Sequence, residues 1–162
     1  ATVEISEEIN PRAYAAEMSR QRLNQHLKID FSAVSDTEML DAISYFIFPN
    51  IMSWPGVGQP LQFRFRPYGA NPDFCIMDVL LLQPLPPGMT PPTANINWLT
   101  SEQNWSDAPE LMTLGPVLDQ DISNLLQLQK GLKASAKPGI TLGNYQESRI
   151  RHFHQVLDKY LS

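Results

Sequence analysis

Residues 61–66 (LQFRFR) alternate strictly between apolar and polar side chains. Such alternation is typical of a β-strand with one face in the core and the other in water. The apolar residues 46–48 (FIF) predict a strand before it. The almost continuously apolar residues 74–82 predict a strand after it that is buried on both faces. Turn residues separate these segments, so the centre of the chain is predicted to form an antiparallel sheet.

Helical patterns precede this central region. Residues 10–27 predict a helix that is capped by Asn10 and contains no internal helix breaker. Ser35 and Glu38 form the capping-box pattern, which predicts the start of a short helix over about residues 36–45.

Two longer helices are predicted near the end of the chain, over about 116–132 and 145–160. The second follows another capping-box pattern, Asn144 with Glu147. Residues 94–99 are compatible with one more strand. Strands followed by helices indicate the α+β class, with an antiparallel sheet on which long C-terminal helices pack.

Composition and charge limit the kinds of partner. With 162 residues, 43% of them hydrophobic and 18% charged, the chain is long enough for one globular domain with a real core. Its net charge is −5 and it has no dense run of lysine or arginine, which argues against nucleic acid or an anionic membrane as partner. The longest apolar run, residues 79–82, is too short to span a membrane.

Cys75 is the single cysteine. One thiol cannot form an internal disulfide or a metal site built from several cysteines. It suits a reducing cytoplasm, which is the predicted location. Because its neighbours are apolar, Cys75 itself is predicted to be a small buried hydrophobic residue.

The predicted helix over 116–132 carries a carboxylate, Asp121, in the middle of its apolar stripe. With about 100° per residue, the leucines of this stripe fall within roughly 60° of Asp121, whereas Asp119 lies about 160° away and is predicted to face solvent. These leucines are Leu118, Leu125, Leu128 and Leu132. A carboxylate facing the core is costly unless it is hydrogen-bonded, paired or bound to a metal. The spacing leaves all three explanations of Asp121 open.

Four motifs occur together in this chain in a recognisable order. Residues 119–121 (DQD), with Asn124 and residues 129–132 (QKGL), are similar to the segment that carries the carboxylate iron ligand in Rieske non-haem iron oxygenases. The others are residues 45–50 (YFIFPN), residues 66–69 (RPYG) with the strand leading to 84–88 (PLPPG), and the closing helix pattern over 147–158. From about residue 35 onward, the chain thus resembles the C-terminal part of the catalytic domain of a ring-hydroxylating oxygenase large (alpha) subunit.

This resemblance implies a partial helix-grip fold of the Bet v 1 type. It also implies that Asp121 is a catalytic residue, the carboxylate of a two-histidine, one-carboxylate site for mononuclear Fe(II). Asn50 would line the substrate pocket, with Met52 and Leu118 as further pocket residues. The expected reaction is hydroxylation of an aromatic or other apolar ring by O₂, as in aromatic hydrocarbon catabolism. A ferredoxin or reductase electron donor and a homo-oligomer are also implied.

The histidines and cysteines depart from the family pattern. The two histidine ligands should precede residues 45–50, where only His26 occurs, and His26 is interpreted as exposed near a helix end. His152 and His154 lie about 200° apart on one helix and cannot bind one metal together. The cysteine and histidine ligands of the [2Fe–2S] Rieske cluster have no counterpart, so that cluster is expected only in an N-terminal part outside this chain.

Residues 1–162 are therefore predicted to be the C-terminal portion of the catalytic domain, without the Rieske domain. Alone, such a portion is expected to bind iron weakly and to be inactive. A metal-free module of the same fold that binds an apolar ligand is the alternative, although it leaves the position of Asp121 unexplained. A structural subunit that docks on an intact oxygenase is a third possibility.

Overall fold

The computed structural model describes residues 9–57, 61–82 and 84–162. It divides the chain into two compact units, residues 1–92 and 93–162. The first unit contains two helices and a sheet, in the chain order α1 (Pro11–Leu27), α2 (Asp36–Leu40), β1 (Tyr45–Ile47), β2 (Ile51–Trp54), β3 (Leu61–Pro67) and β4 (Cys75–Leu81). The second unit contains two 3₁₀ turns, Trp105–Asp107 and Pro109–Leu111, and the helices α3 (Leu114–Ala134) and α4 (Ser148–Leu161).

Both predicted N-terminal helices begin where their capping residues place them. The Asn10 side chain accepts hydrogen bonds from the backbone N–H groups of Arg12 and Ala13. Ser35 and Glu38 form the predicted capping box. The helix α2 is shorter than expected and ends at Leu40. The backbone is extended at Asp41, and β1 begins at Tyr45.

Ion pairs and a small apolar cluster connect α1 to α2. Arg12 donates to both carboxylate oxygens of Asp41, at 2.9 and 2.6 Å. Arg20 forms an ion pair with Asp36 and donates from Nε to the carbonyl oxygen of Val34 at 2.9 Å. The buried apolar residues of α1, α2 and the segment between them are Ala16, Leu27, Phe31 and Met39.

The sheet is an antiparallel meander in which each strand pairs with the next along the chain. Leu61 and Phe63 of β3 are only 3% and 6% exposed, as the alternation over residues 61–66 predicts. Phe63 lies opposite Met52 on β2 and opposite Val79 on β4. Since side chains on paired strands share a face, these three residues belong to one apolar face of the sheet.

The strand β2 was not predicted from the sequence. It is only four residues long and shows no strong alternation. A cis peptide bond joins Phe48 to Pro49 just before it. Asn50 then connects the start of β2 to β3, because its Nδ2 donates to the carbonyl oxygen of Phe65 at 2.7 Å and its own carbonyl oxygen accepts from the Phe65 N–H at 2.9 Å.

The strand β4 differs from its prediction in burial. Among the described residues it pairs only with β3 and is an edge strand. None of its side chains is buried, so the expectation that it is buried on both faces is wrong. Cys75 at its start is exposed, which overturns the prediction of a buried thiol. Leu81 at its end is 45% exposed. A continuous apolar run does not distinguish a central strand from an edge strand, since only the neighbouring strands decide that difference.

The helices of the second unit agree with the prediction in type and approximate position. The helix α3 continues three residues beyond Gly131. Residues 94–99 form no strand, so that open expectation is wrong. The helix α4 begins at Ser148, and the Asn144–Glu147 capping box is not formed, because the Glu147 carboxylate accepts a hydrogen bond from the Gly143 N–H instead.

The apolar side of α4 is not buried as expected. Ile150 is 41% and Tyr160 is 75% exposed, while Phe153 and Leu157 are half-buried. Taken together, the four-stranded antiparallel sheet and the long C-terminal helices confirm the predicted α+β class. The single-domain prediction for residues 1–162 and the packing of the long helices on the sheet stay predictions.

Candidate functional site on helix α3

The first turns of α3 are joined to the two 3₁₀ turns over residues 105–111, called here the 3₁₀ segment. The Asp119 carboxylate accepts hydrogen bonds from the backbone N–H of Trp105 at 2.6 Å and from the backbone N–H of Ser106 at 3.2 Å. It also accepts one from the Ser106 hydroxyl. Asp119 thereby satisfies N–H groups at the start of a 3₁₀ turn, as a side-chain cap does.

Gly115 lies one helical turn before Asp119 on the same side of α3. A Cβ atom at this position would lie 2.9 Å from the Ser106 Cα, so the close approach of the 3₁₀ segment requires a glycine here. Ala108, Leu111 and Leu118 are 7%, 5% and 6% exposed and form the buried apolar part of this unit. The contact therefore combines a close backbone approach, buried apolar side chains and a hydrogen-bonded carboxylate.

The prediction that Asp119 faces solvent is wrong, since its side chain is half-buried against the 3₁₀ segment. The hydrogen bond from the Ser106 hydroxyl, together with those from the two backbone N–H groups, lowers the pKa of Asp119 below its ordinary value. Periodicity missed this residue because it identifies apolar faces only. The spacing of four between Gly115 and Asp119 was the available signal for a contact face.

Asp121 lies about 200° around α3 from Asp119 and is exposed. Its neighbours on the apolar stripe are exposed too, with Leu125 at 53%, Leu128 at 57% and Leu132 at 44%. The expectation that this stripe faces a core is therefore not met within the described part of the chain. The stripe was placed correctly on the helix, but the buried side of α3 is centred nearer to Gly115 and Leu118.

Within the described residues, neither a backbone hydrogen bond nor a salt bridge explains the position of Asp121. Free backbone N–H groups occur in the first turn of a helix. Asp121 lies seven positions after Leu114, well beyond that turn of α3. Across residues 9–57, 61–82 and 84–162, no hydrogen bond or salt bridge to its carboxylate is found. Both of its oxygens are thus available to a ligand, in contrast to those of Asp119.

The described residues do not form a complete metal site. Among them, no three histidine, cysteine, aspartate or glutamate side chains lie close enough to hold one ion. His26 is exposed in the last turn of α1, as expected, and His152 is exposed on α4. The His154 ring contacts that of Phe153, with centroids 5.4 Å apart. Asp121 is therefore a single exposed carboxylate without neighbouring metal-binding side chains in the described part of the chain, and its role as a metal ligand stays a prediction.

The predicted pocket residues lie in different units. Met52 is half-buried on the apolar face of the sheet, which it shares with Trp54 two residues further on. The Trp54 ring meets Phe63 edge to face at 5.7 Å, and its buried indole N–H has no acceptor in the described part of the structure. Asn50 is bound to the β3 backbone, and Leu118 is buried beside the 3₁₀ segment. Their roles as pocket residues stay predictions.

Two surface depressions, of about 380 and 250 Å³, lie along α1 and where α1 meets α2. The larger is lined by polar and long side chains such as Gln21, Arg22 and Gln25. Neither includes Asn50, Met52, Leu118 or Asp121. Neither depression therefore coincides with the predicted substrate site.

Comparison with known proteins defines the class to which this fold and this helix belong. The family described as ring hydroxylating alpha subunit (catalytic domain) matches residues 5–162. The chain therefore belongs to the catalytic-domain family of ring-hydroxylating alpha subunits, as the motifs around Asp121 and residues 45–50 indicated. No curated protein and no solved structure shows a significant match. Within the described ranges, no helix has the length and apolar character needed to cross a membrane.

Proposed function

We propose that this chain is part of a Rieske-type oxygenase that uses mononuclear non-haem iron and O₂ to hydroxylate an aromatic or other apolar ring. The family match over residues 5–162 carries this proposal. The exposed carboxylate of Asp121, which lies on the motif shared with the family, supports its role as an iron ligand. Residues 1–162 would form the C-terminal portion of the catalytic domain.

In this proposal Asp121 supplies one negatively charged oxygen ligand, and the two histidine ligands come from outside the described residues. The [2Fe–2S] cluster would likewise belong to another part of the natural protein and would receive electrons from a ferredoxin or reductase. The iron, when bound, supplies the oxygen chemistry. By the family resemblance, Asn50 and Met52 would take part in binding the ring. Met52 lies opposite Phe63 on the apolar face of the sheet, and Asn50 is bound to β3.

The structure offers a reason to choose Asp121 over Asp119 as the ligand. Asp119 already accepts three hydrogen bonds from Trp105 and Ser106. Binding a metal through Asp119 would leave these N–H and O–H groups without their acceptor, which is unfavourable. Asp121 loses no such contact when it binds an ion.

Metal analysis of the natural protein that contains this chain tests the role of Asp121. With Asp121→Asn, we expect iron to fall from about three to about two atoms per subunit, because one mononuclear iron is lost while a two-iron cluster remains. The visible absorption of the cluster should be unchanged. Asp158→Asn, which also removes an exposed helical carboxylate, is the matched control and should keep all the iron. Full iron content in Asp121→Asn would refute the assignment.

The genomic DNA before the codon for Ala1 tests the wider proposal. We expect an in-frame segment that encodes a Cys-x-His and Cys-x-x-His pair, followed by two closely spaced histidines. A start codon at this position would instead favour the metal-free module that binds an apolar ligand. The oxygenase mechanism would then have to be abandoned for this chain.

A further inference from the structure

We propose that Asp119 is a positioning residue that, together with Ser106 and Gly115, fixes the direction in which α3 presents Asp121. This inference rests on the proposed role of Asp121 as an iron ligand. It assigns a role to a carboxylate that the family resemblance leaves without one. Asp119 itself would not touch the metal.

The contact between α3 and the 3₁₀ segment has two anchor points on consecutive turns. Gly115 allows the Ser106 backbone to approach the helix, and Asp119 binds Ser106 and Trp105 through hydrogen bonds. Four residues separate the two points, about 6 Å along the helix axis. Two anchors on one side of a helix restrict its rotation about its axis as well as its tilt.

The buried side chains reinforce the same side of α3. Leu118 lies between Gly115 and Asp119 in sequence and is 6% exposed, while Ala108 and Leu111 of the 3₁₀ segment are similarly buried. Further along α3, the apolar side chains of Leu125 and Leu128 are exposed and form no comparable buried contact. The buried packing of α3 is therefore concentrated on the side that contains Gly115, Leu118 and Asp119.

A small rotation of α3 would displace the Asp121 carboxylate by more than a metal site tolerates. With side-chain atoms at a radius of roughly 5 Å, a rotation of about 20° moves them by roughly 1.7 Å. Metal–ligand distances are usually held within about 0.2 Å. Because Asp121 lies only two residues after Asp119, loosening the contact would affect it directly.

Fe(II) affinity of the natural protein tests the proposal, measured anaerobically by titration of the iron-depleted mononuclear site. We expect Asp119→Asn and Ser106→Ala to weaken Fe(II) binding by about 10-fold to 100-fold, the range found when residues that orient metal ligands are changed. With Co²⁺ as the probe, the visible absorption spectrum of the bound ion should change as well. A role limited to stability would leave both properties of the folded protein unchanged.

Asp107→Asn is the matched control. Asp107 lies in the same 3₁₀ segment and accepts a hydrogen bond from the Asn104 N–H at 2.9 Å, but it makes no hydrogen bond to α3. This variant should bind Fe(II) like the parent protein. Ser106→Thr keeps the hydroxyl group and should restore most of the affinity that Ser106→Ala loses. If Asp119→Asn does not fold, the Ser106→Ala and Ser106→Thr pair decides the question.

The outcomes separate this proposal from the one on which it rests. Affinity within twofold of the parent in folded Asp119→Asn or in Ser106→Ala, with binding abolished in Asp121→Asn, would overturn the positioning role and leave Asp121 as a ligand. Unchanged affinity in Asp121→Asn would overturn the ligand assignment and, with it, the positioning role. Weaker Fe(II) binding in Asp119→Asn and Ser106→Ala, with normal Fe(II) binding in Asp107→Asn, supports both the ligand role of Asp121 and the positioning role of Asp119.

Discussion

Asp78 connects the two arginines on the polar face of the sheet. It lies opposite Arg64 in the β3–β4 register and accepts a hydrogen bond from Arg64 Nε at 2.7 Å. Arg66 donates to both Asp78 oxygens, at 2.8 and 2.9 Å. The hydrogen bonds from Arg66 and then Arg64 lower the pKa of Asp78 to about 2. The Asp78 carboxylate thus binds both arginines and connects β4 to β3.

The stability that Asp78 contributes is expected to depend on pH. Its pKa in the folded protein is about 2, below the ordinary value of 3.8. The contribution of Asp78 to the free energy of unfolding should therefore be complete above about pH 4 and should disappear as the pH falls towards 2. We expect Asp78→Asn to lower the free energy of unfolding by about 1 kcal/mol at pH 7, a modest effect because both arginines are at least one-third exposed and screened by solvent.

Urea denaturation of both proteins between pH 2 and pH 7 measures this effect. The difference between the parent chain and Asp78→Asn is the relevant quantity, because the titration of other groups cancels in it. A difference that stays constant down to pH 2 would contradict the assigned pKa.

Asp119 and Asp121 show what sequence reasoning can reach at the level of single residues. The resemblance selected Asp121, and the structure leaves its carboxylate exposed and open to a ligand. Helical periodicity placed Asp119 in solvent, yet it holds the 3₁₀ segment. Trp105 and Ser106 come from a loop without periodicity, so their partner could not be inferred from spacing.

At the level of elements, Phe63 is a central packing residue of the sheet in the first unit. This residue is 6% exposed and contacts the Trp54 ring edge to face. Met52 and Val79 lie opposite it on the two neighbouring strands. Its side chain therefore joins three of the four strands on one face.

Phe63→Ala is expected to reduce the free energy of unfolding by about 3–5 kcal/mol, because it removes a buried aromatic ring and leaves a cavity. Phe74→Ala is the matched control, since Phe74 is 59% exposed and its loss should cost less than about 1 kcal/mol. Thermal and chemical denaturation of the chain measure both values. Equal losses for the two variants would show that Phe63 is not part of the core.

At the level of the whole molecule, the boundary between the two units lies in a part of the chain without regular structure. Residues 84–104 contain neither helix nor strand, and the unit boundary lies between Pro92 and Thr93. Within this segment Ile96 and Trp98 are 74% and 68% exposed. Exposed segments without backbone pairing are the usual sites of proteolysis.

Within residues 84–104, limited digestion with chymotrypsin is therefore expected to cut first after Trp98. Trp105 is half-buried in a 3₁₀ turn and serves as an internal control that should be cut much later. Mass spectrometry of the early fragments identifies the site, and Trp98→Ser should remove the first cut. First cleavage within β3 or α3 would contradict the assigned boundary between the units.

The sequence alone determined the α+β class, the positions of most helices and strands, and the family. These properties are local: alternation defines β3, capping residues define the starts of α1 and α2, and motifs around Asp121 indicate the family. Each depends on residues close together in the chain, so a single sequence contains the whole signal.

Only the tertiary structure decided which faces are buried. It placed β4 at the edge of the sheet, exposed Cys75, and turned Asp119 rather than Asp121 towards the 3₁₀ segment. An apolar stripe indicates that a helix or strand has a side suited to burial. It does not indicate which element covers that side. Burial depends on contacts between residues distant in sequence, and these exist only when the chain has folded.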